Sequence, residues 1–283
     1  MTPDVACIKL RGVTVLGNQP PMSTPARVRK ARSLLRTILA SLAAAALLAG
    51  AGPAQAIING KPVVESDAYA HAVVGVVPLD KYDHPGACTG ILLTPRVVLT
   101  AAHCVGKETK GVSVVFDLKI GETHKVAVTR TVIHPDYVEE EDKFKPGDIA
   151  ILFLAAHDYP TVIIPFDRDV SFTNGQQFVF LGYGRSIYNR SSSTGVLRKA
   201  SIAASGYDTP REVALKPLMD AWPCSGDSGG PILRKDMSGR YALTGIMNAV
   251  NAGPVGECLF ENSFMTPLHS YSDWIASTLA AGS

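Results

Sequence analysis

The chain has 283 residues, 46% hydrophobic and 18% charged, with a formal net charge of +2 at pH 7. That charge is unevenly spread: residues 1–56 hold seven Lys/Arg and one Asp/Glu, so residues 57–283 carry 20 basic and 24 acidic side chains, a formal charge of −4. A mildly acidic body of this size is long enough for one or two domains and offers no basic face for nucleic acid.

The first fifth of the sequence is laid out for export. Arg27, Arg29, Lys30, Arg32 and Arg36 form a basic start, Thr37–Ala49 is an uncharged run, and Gly50–Ala56 breaks the helix and ends in Ala-Gln-Ala. This is the pattern of a secretory signal with its cleavage site after Ala56. The apolar run is shorter than the roughly 20 residues a spanning helix needs, so no membrane contact is expected after signal removal. Met22 is the alternative start to Met1, and Cys7 falls in the leader. The expected organisation is a leader over 1–56 and a secreted, monomeric domain over 57–283.

Short β-like runs then recur: Ala72–Val77, Gly90–Leu93, Val97–Thr100, Val112–Phe116, His124–Ile133 and Ile149–Leu154, followed by Phe178–Leu181, Val196–Ala203, Pro231–Leu233, Tyr241–Met247 and Ser263–Met265. They are rich in Val, Ile, Phe and Thr and are parted by Gly, Pro, Asn and Asp, which predicts an all-β barrel or sandwich. Ser270–Ala281 reads as a helix, with Tyr271, Trp274, Ile275, Thr278 and Leu279 on one face. Pro165 in the extended stretch Ile163–Asp167 marks a crossing point between two halves.

Cys88, Cys104, Cys224 and Cys258 permit three pairings. Export favours disulfides, and spacing favours Cys88–Cys104 and Cys224–Cys258. No Cys-x-x-Cys or paired His-Cys spacing suggests zinc.

Three short runs carry chemistry. Leu99–Cys104 reads Leu-Thr-Ala-Ala-His-Cys, Gly147–Leu152 reads Gly-Asp-Ile-Ala-Ile-Leu, and Cys224–Pro231 reads Cys-Ser-Gly-Asp-Ser-Gly-Gly-Pro. A serine hydroxyl becomes a nucleophile when a histidine takes its proton and a buried carboxylate orients that histidine. His103 is the candidate base, Asp148 the orienting carboxylate and Ser228 the nucleophile. Gly226 lets the chain turn so that the amides of Gly226 and Ser228 face one oxyanion. Asp136, Glu139, Glu140, Glu141 and Asp142 compete for the carboxylate role, but with Lys143 and Lys145 they read as a solvated loop. A metal site there is the lesser alternative.

The order His103, Asp148, Ser228 is that of the chymotrypsin-type triad, and the chain resembles the chymotrypsin/trypsin family of serine endopeptidases. The resemblance covers Ile57–Leu279 and is also carried by Leu93–Cys104, Gly182-Tyr183-Gly184 and Asp273-Trp274-Ile275. It implies two six-stranded antiparallel β-barrels with a C-terminal helix, a site in the cleft between the barrels, and the same two disulfides. It implies protein or peptide substrates and no cofactor or metal. Ile57-Ile58-Asn59-Gly60 matches the family's mature start, so the resemblance pairs the Ile57 ammonium with Asp227. Since the expected signal cleavage falls directly before Ile57, export itself would activate the enzyme.

Five positions of the implied substrate pocket depart from the family. Trp222 stands at its base, where trypsin-like members have Asp; Asp220, two residues away, is the alternative acid. In Gly245–Val250, Asn248 replaces a Ser that bonds the triad carboxylate, Ala249 replaces a Trp, and Val250 replaces a Gly; Ser263 replaces another Gly on the opposite wall. Such a pocket predicts cleavage after Ala, Val or Leu. A catalytically weak or inactive binding protein on the same fold is the alternative reading, and an esterase on this scaffold a third.

Overall fold

The computed structural model describes residues 57–121, 124–138, 146–167, 172–187, 190–209, 211–236, 238–250, 258 and 263–282, with the backbone alone at 207–209 and 249–250. The leader, the acidic run 139–142 and Asn189 lie outside them.

Thirteen strands form among the described residues. After the two-residue β1 (Lys61–Pro62) come β2 (Val73–Leu79), β3 (Cys88–Thr94), β4 (Val97–Thr100), β5 (Gly111–Val115), β6 (Lys125–Ile133) and β7 (Ala150–Leu154). These last six close a barrel in the order β2-β3-β4-β7-β6-β5. β8 (Gln177–Gly182), β9 (Arg198–Thr209), β10 (Glu212–Pro217), β11 (Pro231–Lys235), β12 (Tyr241–Val250) and β13 (Ser263–Pro267) form the second barrel. Its order is β9-β10-β13-β12-β11-β8; β8 pairs back onto β9, and β1 adds to the outer edge of β9. All pairs are antiparallel, as the sequence resemblance implied.

Side-chain alternation sorts the apolar residues into three cores. In β7, Ala150, Leu152 and Leu154 fill the first barrel with Val74, Val76, Leu92 and Val98, while Ile151 and Phe153 point out of it. The outward residues join Leu99, Leu181, Tyr183, Leu197 and Leu243 in a core between the barrels. Phe178, Phe180, Ile202, Val213, Leu215, Ile232 and Met265 fill the second barrel. A strand buried on both faces reads as a continuous apolar run, which is why Ile149–Leu154 stands out in the sequence.

Strand β10 escapes sequence reading. It contributes only Val213 and Leu215 to the second barrel's core, ends on Lys216-Pro217, and its pairing with β9 shifts register twice. The helical end divides into a 3-10 turn, Leu268–Tyr271, and an α-helix α1, Ser272–Ala280. Between β7 and β8 the chain pairs briefly with both barrels. Val162 N donates to His71 O at 2.9 Å, and Leu243 N donates to Pro165 O at 2.8 Å.

Tyr183 ties the barrels together. Its ring is fully buried and its hydroxyl donates to Asp117 O at 2.8 Å. Nearby, Ile120 N donates to Gly195 O at 2.7 Å and Leu197 N to Leu118 O at 2.8 Å. Burial raises the tyrosine's pKa far above its ordinary range, so it remains a neutral donor. Tyr183→Phe leaves the Asp117 carbonyl short of its donor. It is expected to cost about 1–3 kcal/mol, read by urea unfolding as a lower midpoint at unchanged slope.

Candidate active site

His103 lies in the 3-10 turn Ala102–Val105 that follows β4. Ala101 and Ala102 are fully buried, so small residues are what this close approach admits. Cys104 is bridged to Cys88 at the start of β3, which pins the turn to the barrel. The second bridge joins Cys224 to Cys258, so both expected disulfides form. Cys88, His103 and Cys104 are close enough together to suggest a metal site, but the two sulfurs are bonded to each other and offer no thiolate.

Asp148 is fully buried immediately before β7. Gly147 at φ +72° makes the bend that turns it inward, and a Cβ there would press on His134 and the Tyr137 amide. The carboxylate grips His103 twice: Oδ1 accepts from the His103 amide at 2.8 Å and Oδ2 from Nδ1 at 2.7 Å. Because an ionised carboxylate only accepts, Nδ1 carries the proton and Nε2 of the neutral ring is left as the acceptor.

Tyr271 supports this carboxylate from behind. Its hydroxyl accepts from Gly147 N at 3.0 Å, and burial raises its pKa. Its ring meets His134 edge-on at 5.0 Å, and Trp274 meets His134 at 4.9 Å. In the sequence Tyr271 registered only as one residue of an apolar helix face; no local signal marks the bond its hydroxyl makes.

The turn bearing Ser228 is docked on the first barrel. Thr89 N donates to Ser228 O at 2.9 Å, and Thr89 Oγ1 donates to Gly226 O at 2.9 Å while accepting from Tyr183 N at 3.0 Å. Thr100 Oγ1 in turn donates to Thr89 O at 2.8 Å. Gly229, at φ +78°, sits so close to Thr100, Thr89 and Ala101 that a Cβ would collide with all three. Gly226, at φ +100°, faces Gly184 Cα, 2.8 Å from where its own Cβ would be. The serine turn is thereby brought beside Ala101, two residues before His103. Among the described residues the Ser228 hydroxyl has no hydrogen-bond partner, and the amides of Gly226 and Ser228 donate to no protein acceptor.

Asp227 points the other way, into the second barrel. It is fully buried and accepts from Gly184 N and Cys224 N, both at 2.8 Å. Burial nonetheless drives its carboxyl up to about 7, against the lowering effect of the two amides. Ile57 is also fully buried, in the core of the second barrel, and Ile58 exchanges two 3.0 Å backbone bonds with Trp222.

The pocket residues are less uniform. Trp222 is half-buried and packs on Ile58 and the Cys224–Cys258 bridge. Asp220 is exposed, at φ +55°, and its carbonyl accepts from Asn59 Nδ2 at 2.9 Å. Asn248 is buried, but among the described residues no hydrogen bond joins it to Asp148, whose two donors are both on His103. Ser263 is fully buried, its hydroxyl has no hydrogen-bond partner among the described residues, and its backbone pairs with that of Val250, whose side chain lies outside them.

Comparison with known proteins bears on all of this. The family model described as Trypsin matches residues 63–275. Phenoloxidase-activating enzyme 1 of Spodoptera litura is 25% identical over 228 residues, covering 69% of this chain and 59% of that protein. A venom serine protease of Polistes dominula is 29% identical over 197 residues, covering 59% and 68%. The chain thus spans about three-fifths of the length of the first relative. Among solved structures, neuropsin, a serine protease of mouse brain, superposes with a TM-score of 0.62 at 20% identity over 79% of this chain and all of that one. HL collagenase superposes with a TM-score of 0.64 at 21% identity over 79% and 99%.

The Asp227 environment makes a prediction for the uncleaved chain. A carboxyl raised in the folded state adds stability that is full below its unfolded value of 3.8 and is lost as pH rises towards about 7. Relative to Asp227→Asn, the uncleaved protein is therefore expected to lose thermal stability between pH 4 and pH 7. Melting curves of both proteins across that range check it; parallel curves would contradict it.

Proposed function

Since the chain belongs to the trypsin family, we propose that it is an exported serine endopeptidase that cuts protein or peptide substrates through His103, Asp148 and Ser228. The observation that carries this reading is the double grip of Asp148 on His103 beside a serine turn with two unengaged amides. Nε2 of His103 takes the Ser228 proton as Oγ attacks the scissile carbonyl carbon. The carbonyl oxygen becomes an oxyanion facing the amides of Gly226 and Ser228, such donors being worth about 3–4 kcal/mol each. The imidazolium, stabilised by Asp148, then protonates the leaving amine as the C–N bond breaks. Water repeats the sequence on the acyl-enzyme and frees Ser228.

Activation follows in this reading from cleavage after Ala56. The freed Ile57 ammonium supplies the charge that the buried Asp227 carboxylate lacks; Ile57 is itself buried in the core of the second barrel, and Ile58 packs on the Cys224–Cys258 bridge. On the acyl side, the residue types at Trp222, Asn248, Val250 and Ser263 favour small or medium apolar residues before the cut bond. One methylene there changes binding by only about 1–3 kcal/mol, so preference among Ala, Val and Leu is modest. The exposure of Asp220 argues against it as a buried counter-ion for Arg or Lys.

A mixed peptide library, digested by the protein starting at Ile57 and read by mass spectrometry, tests the reading. Cuts after Ala, Val or Leu are expected, and none with Ser228→Ala. Cuts after Arg or Lys would keep the triad and overturn the pocket. No cuts that depend on Ser228 would favour a binding protein.

The activation step has its own test. A chain starting at Ile57 is expected to turn over substrate about 10²–10³ times faster than one retaining residues 1–56, the effect of an oxyanion donor. The ammonium's ordinary pKa is about 8 and is raised by pairing with a carboxylate. Its contribution is present at neutral pH and disappears as pH climbs through the raised value. Equal activity of the two chains in a kcat/KM comparison would rule this step out.

A further inference from the structure

A cleft of about 770 Å³ lies on the outside of the first barrel, where the end of α1 meets strands β4, β7 and β6. The sheet register builds its floor. Val97 and Arg130 both pair with Phe153, so the three lie in a row across those strands. The Arg130 guanidinium stands 3.9 Å from the centre of the Phe153 ring. Gly282, just beyond α1, packs so close that a Cβ there would overlap the same ring and come within 2.6 Å of Arg130 Nη2.

Arg96 is tied to the next residue of β7. Its carbonyl accepts from Leu154 N at 2.9 Å, and its Nη2 reaches Leu154 O at 3.5 Å, the long limit of a hydrogen bond. Two guanidinium groups are thereby anchored on consecutive residues of one strand and line one cleft. No acid stands among the described residues lining it. Six other cations of the described fold, Lys81, Lys110, Lys199, Arg211, Arg234 and Arg240, are each held by a carboxylate; Arg96 and Arg130 are not. The end of α1 supplies about half a negative charge, against two full positive ones. The cleft therefore stays cationic on a body whose formal charge is −4.

We propose that this cleft is a second binding site, for a phosphate or sulfate ester group carried on a larger molecule, with Arg96 and Arg130 as its counter-ions. A carboxylate is satisfied by one guanidinium fork, whereas a tetrahedral ester keeps three outer oxygens and can engage two. The volume is that of a small-molecule site, about 300–1,000 Å³, and Val97, Leu154 and Leu279 give the carrier an apolar wall. None of the lining residues belongs to the candidate active site, so this inference stands apart from the endopeptidase reading.

Phenylglyoxal modification of the full chain, mapped arginine by arginine by mass spectrometry, tests it without interference from the basic leader. Sucrose octasulfate is the soluble probe, and vesicles of phosphatidylcholine with phosphatidic acid are the membrane probe. One of them is expected to slow modification of both Arg96 and Arg130 about tenfold, the scale of a charge-assisted bond, and to do so less as salt is raised. Arg240, exposed and outside the cleft, should react unchanged. Protection by the sulfated sugar alone points to a soluble polyanion as the source, and by the vesicles alone to a lipid headgroup. In Arg130→Gln the probe concentration that half-protects Arg96 should rise about tenfold, and Arg130→Lys, which keeps the charge and loses the fork, should recover only part of that. Lys216→Gln, which removes an exposed charge elsewhere, should leave it unmoved. No protection by either probe, protection of Arg240 to the same degree, or an equal effect of Lys216→Gln would overturn the inference, and the wild-type pattern needs no variant.

Discussion

The structure depends on one docking event: the serine turn of the second barrel must seat on the β3–β4 hairpin of the first. Thr89 is the hub. Fully buried, it holds the Ser228 carbonyl with its amide and the Gly226 carbonyl with its hydroxyl, and its own carbonyl is held by Thr100. The first two of these bonds cross between barrels in a water-poor setting, where an unmade partner costs about 1–3 kcal/mol. The turn needs glycine, with Gly226 and Gly229 both at positive φ, which only glycine adopts without penalty. The glycines do more than supply φ, because at Gly229 the neighbouring barrel occupies the space a side chain would need.

Two buried carboxylates flank the serine, and the chain satisfies them differently. Asp148 has a complete set of partners from a single residue, whose amide and ring nitrogen both donate to it. Asp227 accepts from two backbone amides, and Gly182 and Gly184 lie so close that a Cβ at either would overlap it. Dipoles alone do not offset the desolvation of that second charge, and its pKa rises. The carboxylate that orients the candidate base is thus self-contained. The one beside Ser228 is where the proposed Ile57 ammonium would add the missing charge.

Much of this was legible in the sequence because strand burial and turn chemistry are local signals. All six strands of the first barrel announce themselves as apolar runs, and β4 and β7 do so most clearly because both faces are covered. The second barrel shows five runs of six: β10 has two inward residues, a terminal proline and irregular pairing, too little periodicity to register. Of the candidate site, His103, Asp148 and Ser228 sit in distinctive short motifs. Thr89 and Tyr271 do not, since their hydroxyls matter only through partners 137 and 124 positions away. The pocket was the least legible part, because a side chain's direction there follows from loops whose length the sequence leaves open. Trp222, read as the pocket base, packs at least partly on Ile58 and the Cys224–Cys258 bridge.

That contrast has a physical basis. The candidate base and its carboxylate come from a 3-10 turn and a strand end fixed by twice-buried β-structure and a disulfide. Proton transfer needs such placement, since donor and acceptor must meet within a few tenths of an ångström. The surfaces that would meet the substrate's side chains are built otherwise. Met219 and Asp220 take positive φ, and the pairing of β12 with β13 slips between Met247 and Ala249. Irregular segments carry few of the barrels' ladder bonds, so they can change sequence at small cost to the fold. A chain that keeps His103, Asp148 and Ser228 on its rigid parts is free to set Trp222 and Val250 without disturbing them.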